Sequence, residues 1–313
     1  MSFLLNRLLS IALTLVLISM ITFGVTNILP GDVAMMIMGT QSNPEALAGL
    51  RQSLGLNDPL VVQYGRWIAG MVTGDWGNSL IFKVPITELL GQKIRSSALV
   101  VVLSMAIALA AAVPLGVWAA VHRNRWQDTL SSSTALLGVS LPDFFWGIMM
   151  ILLFARGLGW LPSSGVADPA VDFGAALRYA LLPSLALGLG LMAHLTRMTR
   201  STMVGILNQE FVRVARAKGL SERVVVRRYA LANAIGPVMT IAGLQVGYLF
   251  GSIIVVETLF NYTGMGWLTY QALLNRDVPL IQATVFVIAA VVMLINLLVD
   301  LLYVLVDPRI QLE

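Results

Sequence analysis

Long apolar runs separated by short polar stretches set the pattern of this chain. The first run covers residues 8–29 and is closed by Pro30-Gly31. It is longer than the roughly 7–15 residues of a leader-peptide core, and no small-residue cleavage site follows it. Further runs cover residues 97–121, 130–154, about 179–196, about 238–256 and 280–304. A helix needs about 20 mainly apolar residues to cross a bilayer, so the pattern predicts six transmembrane helices with both termini on one side. Pro114 lies inside the second span, and Leu141-Pro142-Asp143 breaks the third.

Polar positions gather in two long stretches. Residues 30–95 form an insertion with scattered Pro, Gly and acidic residues, in which residues 60–71 (Val61, Val62, Tyr64, Trp67, Ile68) predict a short amphipathic helix near the membrane surface. The second stretch, residues 210–237, reads E-F-V-R-V-A-R-A-K-G-L-S-E-R-V-V-V-R-R-Y-A-L-A-N-A-I-G-P and carries six of the twenty Lys and Arg residues. Phe211, Val214 and Ala215 recur at helical spacing, and Gly219 sits where a left-handed cap would end that helix. Ser221 is the expected N-cap of a second short helix running toward Pro237. Such an elbow either fixes topology by charge alone or offers a surface to a cytoplasmic partner.

Composition agrees with a membrane protein: 58% of residues are hydrophobic and 12% charged, against about 25% charged in soluble domains. Cys is absent, which excludes disulfides, thiolate metal sites and a Cys nucleophile. His122 and His194 stand far apart and form no metal-ligand motif. The formal charge of +4 does not point to nucleic acid, because the basic residues collect between spans. On the six-span scheme twelve positives lie on one face and only Arg156, Arg178 and Arg276 in the short loops of the other. That bias puts both termini and residues 197–236 in the cytoplasm. No G-x-x-x-x-G-K-[ST], H-E-x-x-H or G-x-S-x-G occurs, so the chain has no motif for ATP binding, a metalloprotease or a serine hydrolase.

Carboxylates near span ends or breaks are the remaining signal, since they are costly in a membrane. Asp143 either caps backbone groups freed at the Pro142 break or faces a pathway. Glu257, expected at the outer interface, is either a gate or the partner of Arg276. Asp300 and His194 read as structural. Gly243, Gly247 and Gly251, spaced by four, permit close helix contact within the chain or across a dimer seam.

The order of motifs resembles the permeases of bacterial ABC importers for dipeptides, oligopeptides or nickel. The stretch A-R-A-K-G-L-S-E-R, followed by A-L-A-N-A-I-G-P, looks like the family's cytoplasmic coupling loop. The general pattern begins Glu-Ala-Ala, with Gly four residues after the last Ala. Ala215 and Gly219 fit it, whereas Arg213 stands where the Glu would be and Ala232 where a Pro would be. The resemblance continues through L-P-G-D (29–32), L-G-L-N-D-P-L (54–60), G-D-W-G-N-S (74–79), G-L-G-W-L-P (157–162), L-L-P-S-L (181–185), V-V-E-T-L-F (255–260) and D-P-R-I (307–310).

The resemblance implies the first of two permease types, with the all-α, six-helix type I importer permease fold (MetI-like) as one domain over residues 1–313. It also implies a second permease subunit, two ATPase subunits that bind ATP and Mg, and a periplasmic or lipid-anchored binding protein, at a bacterial inner membrane. Docking on an ATPase falls by this resemblance to Arg213, Ala215, Arg216, Ala217, Lys218, Gly219, Leu220, Ser221, Glu222 and Arg223. A secondary transporter or channel working without ATPases is the rival. It predicts an internal repeat and charge relays deep in the bundle; no convincing repeat is present.

Overall fold

The computed structural model describes residues 2–28, 33–38 and 43–306. The L-P-G-D and D-P-R-I motifs and the tail at 307–313 lie outside them. The described residues are helical apart from turns, loops and an isolated bridge between Asn78 and Pro85. The helices are α1 (Ser2–Ile28), α2 (Val33–Met38), α3 (Pro44–Ser53), α4 (Leu60–Thr73), α5 (Ile86–Val121), α6 (Trp126–Ser140), α7 (Asp143–Met150), α8 (Phe173–Leu207), α9 (Glu210–Ala217), α10 (Glu222–Val224), α11 (Ala232–Leu259), α12 (Met265–Leu274) and α13 (Val278–Val306). They form two compact units: residues 1–95 with 264–293, and residues 96–263 with 294–313.

Among the described residues five helical stretches are long and apolar enough to cross a membrane, and six if the bent pair that begins with α6 and α7 is one span. That pair turns through 99°. Pro142 forces the residue before it out of helical backbone, and Leu141 is extended at φ −103°, ψ 132°. The other spans are longer than the apolar runs alone predict. The second begins at Ile86 rather than residue 97. The fourth extends over Phe173–Leu207.

The fifth span corrects the predicted elbow. Helix does not stop at Pro237: Glu222–Leu259 is continuous, with a π-helical turn at Val225–Leu231 joining α10 to α11 and Pro237 inside α11. The one backbone bond that a proline removes is tolerable where packed neighbours hold a membrane helix.

In the first unit, α4 packs its aromatic face on α1. Phe23 contacts Tyr64 and Trp67 at ring separations of 5.5 and 5.9 Å, and the Ser19 and Tyr64 hydroxyls are 2.8 Å apart. The helix predicted to lie near the membrane surface is therefore braced by a span. Asp277, fully buried, organises the loop between α4 and α5: it accepts from Ser79 Oγ at 2.6 Å and from the backbone N–H of Ile81 and Leu280, both at 3.2 Å. Ile86, Leu90, Leu268, Ala272 and Leu280 make the apolar core around it.

In the second unit, small residues let helices approach. A Cβ at Gly138 would stand 2.6 Å from that of Ala193, one at Gly116 would meet Thr199 at 2.6 Å, and one at Gly243 would meet Val299 at 2.4 Å. Gly243 thus serves packing inside this chain. Gly247 and Gly251 are exposed, on an open face of α11 with Leu244, Tyr248 and Val255.

Candidate functional site

The basic elbow is built on an apolar floor. Val212 and Ala215 of α9 are buried with Ala120 of α5, Met203 and Ile206 of α8, and Val225, Ala230 and Ala234 beyond the elbow. This corrects the stripe read from the sequence: Val212 shares the packed face with Ala215, while Phe211 and Val214 are 38% and 52% exposed. A short helix presenting two apolar side chains beside basic ones is an unfinished surface. Leu220 is partly buried against the same floor.

Gly219 has φ +76°, and its N–H donates to the Arg216 carbonyl at 2.9 Å, closing the end of α9. L-residues with a Cβ pay for that backbone region, which explains a glycine here. A Cβ at this position would meet nothing within 4 Å. Ser221 occupies the N-cap position of α10, yet its side chain makes no capping bond there. The second helix starts instead behind an ion pair: Arg216 Nε and Nη2 donate to Glu222 at 3.1 and 2.7 Å. This fork closes the elbow across Gly219 and holds the Arg216 pKa above its ordinary value through the hydrogen bonds to Glu222. Arg213 lies 3.9 Å from Glu210. Ala217, Lys218 and Arg223 are exposed.

The carboxylates flagged within spans fall in different surroundings. Glu257 is fully buried and accepts a hydrogen bond from Ser97 Oγ at 2.5 Å. Asp143 is 9% exposed and opens α7, where no side chain caps the helix. Its Oδ2 accepts from the Tyr248 hydroxyl at 3.0 Å, which bridges the break to α11. Sequence reading named Asp143 without Tyr248, and it missed Asp128 and Arg200 altogether. Asp128 in the first turn of α6 takes both the Nε and Nη2 donors of Arg200 on α8, the latter at 2.7 Å. Among the described residues no group of three His, Cys, Asp or Glu stands together as a metal site.

Comparison with known proteins places the chain as a whole. Residues 112–312 match the family model described as binding-protein-dependent transport system inner membrane component, and residues 1–116 match the model for the N-terminal part of such membrane components. The glutathione transport system permease protein GsiC of Salmonella paratyphi A is 39% identical over 311 residues, covering 99% of both chains. The dipeptide transport system permease protein DppB of Alkalihalophilus pseudofirmus is 37% identical over 331 aligned residues, again covering 99% of each.

Proposed function

The chain belongs to the inner membrane components of binding-protein-dependent transport systems, and from that premise we propose that it is half of the pathway of an ATP-driven importer for peptides or related small solutes. Its whole length acts as one permease domain beside a second permease subunit, in a bacterial inner membrane, with both termini cytoplasmic. The similarity to permeases for glutathione and dipeptides supports that substrate class. Two partner ATPases bind ATP and Mg and hydrolyse the nucleotide, and a binding protein delivers solute from outside.

The observation that carries this reading is the elbow of α9, Gly219 and α10. It exposes Phe211, Val214, Lys218 and Arg223 while Val212 and Ala215 lock it to the ends of α5, α8 and α11. An ATPase gripping the exposed face would move a rigid lever continuous with the fifth span. Arg213, Ala217, Leu220 and Ser221 complete the docking stretch, and the exposed Arg216–Glu222 pair spans its turn.

The test is uptake of a labelled dipeptide by proteoliposomes holding the full complex. Gly219→Val places a β-branched residue at positive φ, worth at least about 1 kcal/mol of strain, and adds bulk at the contact. Single exposed ion pairs are worth about 0–1 kcal/mol. Uptake and co-purification of the ATPases should therefore fall far more for Gly219→Val than for Arg216→Ala, Lys218→Ala or Arg223→Ala. Normal uptake by Gly219→Val with its ATPases bound would show that the elbow is not the coupling element.

A further inference from the structure

The break between α6 and α7 leaves a carboxylate inside a candidate span with little to compensate it. One hydroxyl, from Tyr248, satisfies Asp143 Oδ2. Oδ1 lies over α8 at a glycine: a Cβ on Gly190 would stand 2.5 Å from it, so only glycine leaves the carboxylate its room. Among the described residues no Lys or Arg forms an ion pair with Asp143. An ionised carboxylate accepts about four hydrogen bonds, and at membrane depth it calls for a cation.

Neighbouring groups extend the site. Trp146 follows Asp143 by one helical turn, on the same side of α7. Its indole Nε1 is buried and has no acceptor among the described residues, whereas buried indole N–H groups usually find one. His194 lies one turn from Gly190 on α8, with its ring 6.4 Å from that of Tyr248. Tyr248 is 47% exposed, on the open face of α11 that carries Gly247 and Gly251. The cluster therefore borders a free helix face and is not sealed in a core.

We propose that Asp143, Tyr248 and Trp146 form a binding point for the α-ammonium end of a peptide crossing the permease. The ammonium takes the unused acceptor positions of Asp143 beside the Tyr248 ring, where a cation is also attracted by the aromatic face. The adjoining carbonyl or carboxylate oxygen of the peptide accepts from Trp146 Nε1–H. A single carboxylate among aromatic groups suits an organic ammonium better than a divalent metal, which would draw on several oxygen ligands. This inference rests on the peptide-permease reading above and names the substrate group that its pathway recognises.

The experiment uses the complete complex in nanodiscs without the binding protein, with saturation-transfer NMR to follow dialanine and N-acetyl-dialanine. The wild type should bind the free dipeptide about tenfold more tightly, the factor that loss of one charge-assisted hydrogen bond produces. Asp143→Asn should bind both peptides equally weakly, and Asp143→Glu should restore part of the preference. A preference that survives Asp143→Asn overturns the proposal, as does a wild type with none. Should Asp143→Asn fail to co-purify with its partners, Trp146→Phe keeps the test. It should weaken both peptides while retaining the preference, and unchanged binding of both overturns the proposal. ATP-dependent dipeptide uptake by the same wild-type complex in proteoliposomes separates the two readings. Uptake without the preference removes only this inference, and no uptake removes the importer reading with it.

Discussion

Asp128 and Arg200 illustrate how much one pair of residues does for one end of the second unit. Asp128 keeps only 7% of its side chain exposed and Arg200 keeps 30%. The carboxylate also receives the Asn124 N–H at 3.0 Å, so the turn before α6 and the last turns of α8 share one anion. Removing one partner of a buried pair leaves the other uncompensated, at about 3–5 kcal/mol. The lower end applies here because Arg200 reaches solvent. Asp128→Ala and Arg200→Ala should each lower the thermal unfolding midpoint of the detergent-purified complex, and replacing both with apolar residues should recover much of the loss. Additive losses in the double variant would mean that the two residues act independently. In the sequence, Asp128 sits within a basic turn and signals only topology; its partner is 72 residues away.

At the scale of elements, apolar runs reveal where helices exist far better than where they end. The second span starts at Ile86, among Glu88, Lys93 and Arg95, because helix continues past the stretch that must be apolar. The fifth passes Pro237 because neighbours carry it. The positive φ at Gly219 was legible from the glycine itself, whereas the meeting of Asp143 with Tyr248, 105 residues apart, had no local signal. Helix α4 shows the same division. Its length was readable, but the side facing α1 was not. Tyr64 and Trp67 pack on Phe23, while Val61 and Val72 are 81% and 82% exposed. Val61→Asp and Val72→Asp should therefore reduce ATP turnover stimulated by the binding protein more than turnover without it. Tyr64→Ala and Trp67→Ala should lower both together, through lost packing. Equal effects of all four would assign α4 a folding role alone.

For the whole molecule, the distribution of charge makes the most direct claim, since twelve of the twenty Lys and Arg residues fall on one proposed face. The chain has no Cys, so a single introduced thiol reports its own position. Lys218→Cys and Glu313→Cys should react with an impermeant maleimide only after the inner face is opened, and Val72→Cys should react in intact cells. The reverse pattern would invert the topology. The empty space around a Cβ at Gly219 carries a consequence for inheritance. On the proposed docking, two separate genes would hold that glycine in place: its own, through the backbone angle, and the ATPase's, through the surface that would fill the space. Damage from bulk there has nothing to relieve within this chain, so a natural lineage that lost the glycine would carry its compensation in the gene of the partner.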